Sequence, residues 1–526
     1  MKRMFAALLV FAVLATACGC GKKDEKNSTA ESDTTVKKTE TKKEPSDGII
    51  SVFSYKPDTF CPILSNNEAN VQMLEMIFDS LITLGDDMQP RAKLAESWSA
   101  SKDGKQWTLK LKNGVIWQDY SAFSAEDVVY TVRSIMSHTD SCYAANTANI
   151  AAVKAEGADS VVFTLKMPNP CFVNLLYFPI IKNGSIGADL QQFSPIGTGA
   201  YMLEDRNEGN VYYLAENPSW WGGKPACKLI KVRMLPDKDT ALYAFGSENI
   251  DIAAAENSDW GKYVDATESS YAQIKTPVYH FVGINNKNSI LSENGVRSAL
   301  SYAINRKEIC ETVFLSGGVS VNAPIRPEWY AYGSQTEDFR RDLNAAKKEL
   351  ENCGWELVDN SYYRKKSGRK SIRLKLDILI NEDNADRENI SQIIQNNFGE
   401  MGIETTVTKA PFEEYEKRIA NGKFDLFIGS CVIPADMDLS FLLGDGNLCR
   451  FEDDEMKFVL DELKTKSDKN GIIESYAEVI NLFNQLNPML GLAFRDKVMI
   501  YGNRIEGEVK PSYYNIYNGI EKLVKK

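Results

Sequence analysis

From residue 48 onward the chain alternates short apolar runs with amphipathic stretches. The run Ile49-Ile50-Ser51-Val52-Phe53, halted at the turn-prone Lys56-Pro57-Asp58, predicts a first strand. Between Asn70 and Leu84 the residues Val71, Leu74, Ile77, Phe78 and Leu81 fall at helical spacing and predict a helix. Asp103-Gly104-Lys105 separates Trp98 from the alternating Trp107-Thr108-Leu109-Lys110-Leu111, the pattern of a hairpin. Ser124-Ala125-Glu126-Asp127 opens the next helix, with Asp127 as the acidic partner of a Ser cap. Val161 to Leu165 predicts another strand, stopped by Pro168 and Pro170. Asn344 to Cys353 and Asn389 to Met401 read as helices, Ile372 to Ile380 and Ile403 to Val407 as strands, and Tyr514 to Val524 as a closing extended run. There is no internal repeat, and the alternation predicts α/β domains built on mixed sheets.

The first 47 residues follow different rules. Lys2 and Arg3, the apolar Phe5 to Ala17 and the small residues before Cys18 form a secretory leader over residues 1–17. A Cys at that boundary predicts lipidation at Cys18, such as palmitate, and a protein held on the extracytoplasmic face of the cell membrane; simple leader cleavage is the competing reading. Residues 18–47 are then a lipidated, disordered tether, too polar to offset the entropy of ordering. Gly19 to Asp47 is 29 residues long. At about 5–6 Å × √n, that reach holds the folded body on the order of 30 Å from the bilayer. Without Lys2 and Arg3, 59 basic residues face 72 acidic ones, a net charge of −13. Such an acidic body argues against nucleic acid as a partner. Eight body cysteines, Cys61, Cys142, Cys171, Cys227, Cys310, Cys353, Cys431 and Cys449, are scattered singly and leave their disulfide state open.

Three segments carry a resemblance. They are Leu94 to Arg133, reading LAESWSASKDGKQWTLKLKNGVIWQDYSAFSAEDVVYTVR; Pro195 to Ile252, with PIGTGAYML, NPSWWGGKPACKLIKV and SENIDI; and Gly283 to Lys307, ending VRSALSYAINRK. Together they resemble the family 5 solute-binding proteins of ABC importers, the oligopeptide and dipeptide receptors. The resemblance implies a periplasmic-binding-protein-like α/β fold (class II, cluster C), with two main lobes, a hinge and an extra inserted lobe. Lobe I would comprise 48–65, 196–276 and 496–526, lobe II 66–195, and lobe III 277–495, with hinge strands near 276 and 496. Most of the matching motif reads as architecture: Gly104 for a tight turn, Gly197 and Gly199 for close strand approach, and Trp220-Trp221-Gly222-Gly223 as an anchor followed by a turn.

The resemblance also implies where ligand chemistry sits. In peptide-binding relatives an extended ligand adds to strand edges, and its ammonium pairs with an Asp in a Gly-Trp…Ala-Asp-Tyr…Pro type segment. The matching stretch here runs from Lys423 to Leu442, with Ser430 where Trp is usual. It makes Asp436, after Ala435, the amine partner, and Asp438 its competitor; either Asp can equally serve as a cap for a helix after Leu439. Phe412 matches a pocket-lining aromatic or is plain core. Asn66 and Asn67 match a ligand-facing loop or form an ordinary polar turn. Arg418 lies one residue from a position that holds a carboxylate-binding Arg in some relatives.

Enzyme signatures are absent. His138 and His280 are the only histidines and neither lies in HExxH; GxSxG and Walker A patterns do not occur. SxxK occurs at Ser99–Lys102 and Ser367–Lys370 without an accompanying KTG, and chance accounts for both. The expected protein is a monomeric receptor without cofactor. It captures a peptide or another small solute (an oligosaccharide or a metal chelate) and delivers it to ABC permease subunits with their cytoplasmic ATPase. A sensory receptor that has lost transport is the other class left open.

Overall fold

The computed structural model describes residues 48–526 except 208, 256–259, 268, 334–339, 360 and 368–369. The leader, Cys18 and the tether lie outside the described residues.

The first strand, Ile50–Ser54, buries every side chain because it runs parallel to Leu229–Met234 in a four-stranded sheet completed by Val211–Glu216 and Tyr201–Asn207. The hairpin around Gly104 (φ 66°) joins Ala95–Ala100 to Gln106–Leu111; Ser160–Leu165 and Ile150–Ala155 extend it to a second four-stranded sheet. Helix Ala125–Ser137 packs on that sheet, and its cap forms as expected, the Asp127 carboxylate accepting the Ser124 N–H at 2.8 Å. A six-stranded mixed sheet follows the order Gly318–Ser320, Met489–Arg495, Val278–Ile284, Leu426–Val432, Lys375–Asn381 and Glu404–Ala410. Strand alternation gives this sheet two characters. Val282, Ile284, Ile378, Leu426, Ile428 and Leu490 enter one aliphatic core, while Tyr279, Phe281, Phe427 and Phe494 make an aromatic face toward the larger core. On that face Tyr279 stacks on Phe281 at 5.6 Å, and Trp329 lies 5.3 Å from Phe494.

The helix expected from Asn70 to Leu84 stops early, spanning Glu68–Leu74, and Ile82–Leu84 is a strand. The reason is competition for carbonyls. Gly199 N–H donates to Ile77 O at 2.8 Å and Tyr201 N–H to Met76 O at 3.1 Å, so these acceptors serve another chain segment. The approach is close enough that a Cβ on Gly197 would sit 1.9 Å from Ile77 O. The closing run from Tyr514 also departs from expectation: it folds as turns and a 3-10 turn Ile520–Lys522 around Gly519 (φ 82°), with only Val524–Lys525 extended. Its N–H groups find partners a few residues back, such as Ile520 on Tyr517, rather than across a sheet. All eight body cysteines are free thiols.

The architecture-bearing motifs converge on one buried carboxylate. Asp79 takes the Trp221 indole N–H at 2.7 Å, the Thr198 hydroxyl at 3.3 Å and the Lys93 ammonium at 3.0 Å.

The six-stranded sheet joins the rest of the protein through a pair of adjacent strands that each break once. Ser270–Ile274 pairs antiparallel with Lys497–Tyr501 in a three-stranded sheet; just beyond, Val278–Ile284 pairs antiparallel with Met489–Arg495 in the six-stranded one. The break falls at Lys275-Thr276-Pro277 on one strand and Asp496 on the other. There Arg326 and Asp496, 1% and 3% exposed, pair at 2.6 Å, and Arg326 also donates to Thr276 O at 3.3 Å. Asp496→Ala leaves this guanidinium buried with the half-buried Glu328 at 3.0 Å and the more distant field of Asp86 as its remaining negative charges. The expected loss is about 3 kcal/mol by denaturant unfolding, most of it recovered by an apolar replacement of both partners.

Candidate functional site

The segment carrying Ala435, Asp436 and Asp438 leaves the end of strand Leu426–Val432 beside the chain crossing, where Ile433 N–H donates to Pro277 O at 2.9 Å. A turn closes with Met437 N–H on Pro434 O at 2.8 Å, and Met437 takes a left-handed φ of 57°. That strained residue is held by the Tyr476 hydroxyl, which donates to its carbonyl at 2.8 Å. From the opposite side Asn174 donates to Ala435 O at 3.0 Å, and Asn169 donates to Asp436 Oδ2 at 2.7 Å. The Asn169 amide is oriented in turn, because its Oδ1 accepts the Cys171 N–H at 2.9 Å. Asp438 is exposed and accepts Ser440 N–H at 2.9 Å, a local turn contact just ahead of the short helix Ser440–Leu443, whose cap residue is Leu439.

Asp436 keeps an accessible edge although protein surrounds it, at the contact between the 434–438 turn and Asn169. Burial and the neighbouring Asp438 charge push its carboxyl up from the ordinary 3.8 to about 6, against the pull of the Asn169 hydrogen bond. Among the described residues no Lys, Arg or His pairs with it. The surroundings are phenolic: Tyr514, whose hydroxyl lies in the field of Asp436, sits 4.7 Å from Tyr177 and 5.2 Å from Tyr513. Tyr330 contacts Cys171 Sγ at 3.2 Å and lies under Lys469. A small crevice lined by Asp86, Met88, Lys275, Trp329 and Tyr514 leaves about 10 Å³, room for about one water; Tyr514 is the side chain that relates it to Asp436.

The other expected site residues sit apart from this loop. Phe412 and Arg418 belong to helix Phe412–Ala420; Phe412 stacks on Tyr415 at 6.2 Å, and Arg418 Nε donates to Lys423 O at 3.3 Å. Asn67 caps helix Glu68–Leu74 by accepting Asn70 N–H, and Asn66 N–H donates to Asp58 at 2.8 Å. Both therefore serve a polar turn organised by Asp58. Burial acts to raise that carboxyl, but hydrogen bonds led by Ser65 hold it below its usual range. Asn169 and Asn174 were not singled out from sequence; the Pro168-Asn169-Pro170 triplet was read only as a strand stop. Among the described residues no group of three or more His, Cys, Asp or Glu is placed to hold a metal ion.

The raised Asp436 carboxyl has a pH consequence. Between about pH 4 and 6 the unfolded chain has released this proton while the folded protein retains it, so stability falls as pH rises through that window. Asp436→Asn abolishes this part of the decline and gains on the order of 1–2 kcal/mol at pH 7, read from unfolding curves at pH 4.5 and 7.

Comparison with known proteins adds the family. The oligopeptide-binding protein AppA of Bacillus subtilis is 23% identical over 99% of this chain and 97% of its own. The structure of that protein with a nonapeptide superposes with a TM-score of 0.63 at 19% identity, covering 91% of this chain and 99% of that one. A nickel ABC transporter structure from Bacillus halodurans gives a TM-score of 0.76 at 21% identity, over 90% and 99% of the two chains. The profile of the bacterial extracellular solute-binding proteins, family 5 (middle region), matches residues 89–445. The mixed α/β fold shared with these structures agrees with that match, which covers more than half of the sequence: the chain belongs to family 5 of the bacterial extracellular solute-binding proteins.

Proposed function

We propose that this protein is the lipid-anchored, extracytoplasmic substrate-binding subunit of an ABC importer and that it captures peptides through their free amine. The observation that carries the reading is Asp436, a carboxylate with an accessible edge, an oriented amide beside it and, among the described residues, no protein cation paired to it. An ammonium entering here finds a low-dielectric site where the ion pair strengthens as water leaves. Below about pH 6, binding must also release the Asp436 proton, so affinity weakens as pH falls through that value. The crossing at Thr276–Pro277 and Asp496 is the hinge, between lobe III (277–495) and lobes I (48–65, 196–276, 496–526) and II (66–195). Lobe II brings Asn169 and Asn174, and lobe III brings the 434–438 loop. A bound peptide bridges the two, favours closure and so presents the closed form to the permease. AppA, named as an oligopeptide-binding protein, supports peptides as the solute. A metal chelate is the second reading, favoured by Ser430 in place of a usual Trp and by the nickel transporter likeness.

Native mass spectrometry of residues 48–526 purified from cells separates these readings. Co-purifying small peptides support capture, and Asp436→Ala then weakens free-amine peptides by on the order of 2–5 kcal/mol in calorimetry while N-acetylated ones change little. A single non-peptide mass, or unchanged affinity in the variant, overturns the reading. Cys18→Ser is expected to release the full chain from the membrane fraction and to remove the acyl mass; retention of both overturns the anchor.

A further inference from the structure

Glu75 lies just past helix Glu68–Leu74, three residues after Gln72 and so on the same face. That face looks onto the loop 512–516, because the Gln72 side-chain Oε1 accepts Ile516 N–H at 2.8 Å. The loop supplies Tyr513 and Tyr514 to the small crevice beside Trp329, and Tyr514 lies in the field of Asp436; from Tyr514 a row of rings continues through Tyr177, at 4.7 Å, to Tyr143 at a further 5.9 Å. Glu75 Oε2 is buried with no hydrogen-bond donor, and so is Asn515 Oδ1 on the adjoining loop. Lys93, whose field reaches Glu75, is engaged by Asp79 at 3.0 Å. The carboxyl is thus surrounded by Tyr143, Tyr177 and the Cys142 thiol, and burial raises it to about 8, only partly offset by Lys93.

Leaving a buried acceptor without a donor is costly, and such exceptions call for an explanation, one of which is a ligand that completes them. A carboxylate beside phenol rings is a receptor for an organic cation: the ring faces attract it and the acid pairs with it. We propose that Glu75 forms a second cation subsite in the crevice, so that the protein favours peptides bearing a basic side chain in addition to the free amine. This rests on the capture of the amine by Asp436, and the two are separable by experiment.

Two sets of tri- and pentapeptides with free amines test it, one with Lys scanned through each position of an alanine background, the other with norleucine, the uncharged near-isostere. In the wild type, Lys at one position is expected to bind on the order of tenfold tighter than norleucine there. In Glu75→Gln that ratio falls to about one, while norleucine peptides keep their wild-type affinity. Equal binding of the two sets by the wild type overturns the second subsite and leaves amine capture standing; so does a Lys preference that Glu75→Gln leaves intact. If no peptide of either set binds, the peptide reading falls and this inference with it. Should Glu75→Gln fail to fold, the wild-type Lys-to-norleucine ratio alone decides.

Discussion

Everything about this protein's working part hangs on a buried ion pair at a double chain crossing. Two adjacent antiparallel strands run from a three-stranded sheet into a six-stranded one, and both lose their ladder at the same level, at Thr276-Pro277 and at Asp496. Arg326 fills the gap, pairing with Asp496 and donating to Thr276 O, so one planar guanidinium replaces the missing ladder bonds. The Thr276 hydroxyl adds a 2.5 Å bond to Arg495 O across the same gap. In the proposed hinge reading, the break in the ladder is where the sheets would reorient, and the buried pair, costly to separate, would keep the two strands together.

The same crossing positions the acidic loop. Ile433 is tied to Pro277 O, so the 434–438 turn emerges directly beside the crossing. From the other side Asn169 and Asn174 reach over to Asp436 and Ala435. If the crossing is the hinge, as proposed, rotation there would change the space around Asp436.

The electrostatics of that space are those of a site awaiting a donor. Asp436 and Glu75 are both pushed up by burial, and Asp438 adds a like charge to the first. The buried carboxyls of Asp79 and Asp496 instead have a protein cation each, Lys93 and Arg326. The energetic return is greatest where solvent is expelled, because the same burial that penalises the lone charge strengthens the pair.

The sequence by itself determined the hairpin at Gly104, the Ser124–Asp127 cap, the short strands of the mixed sheets and, through its motifs, the family. Each of these is written in neighbours a few residues apart, in periodicity, cap chemistry or a glycine that permits a turn. Only the tertiary structure decided that Asp436 meets Asn169 from 267 residues away while Asp438 stays exposed and accepts a neighbouring N–H. Tertiary contact likewise accompanies the end of the helix at Leu74, just past which Gly199 and Tyr201 take the Ile77 and Met76 carbonyls, and left Glu75 Oε2 buried without a donor. Such outcomes depend on which distant groups packing brings within 3 Å of each other, and no local pattern encodes that.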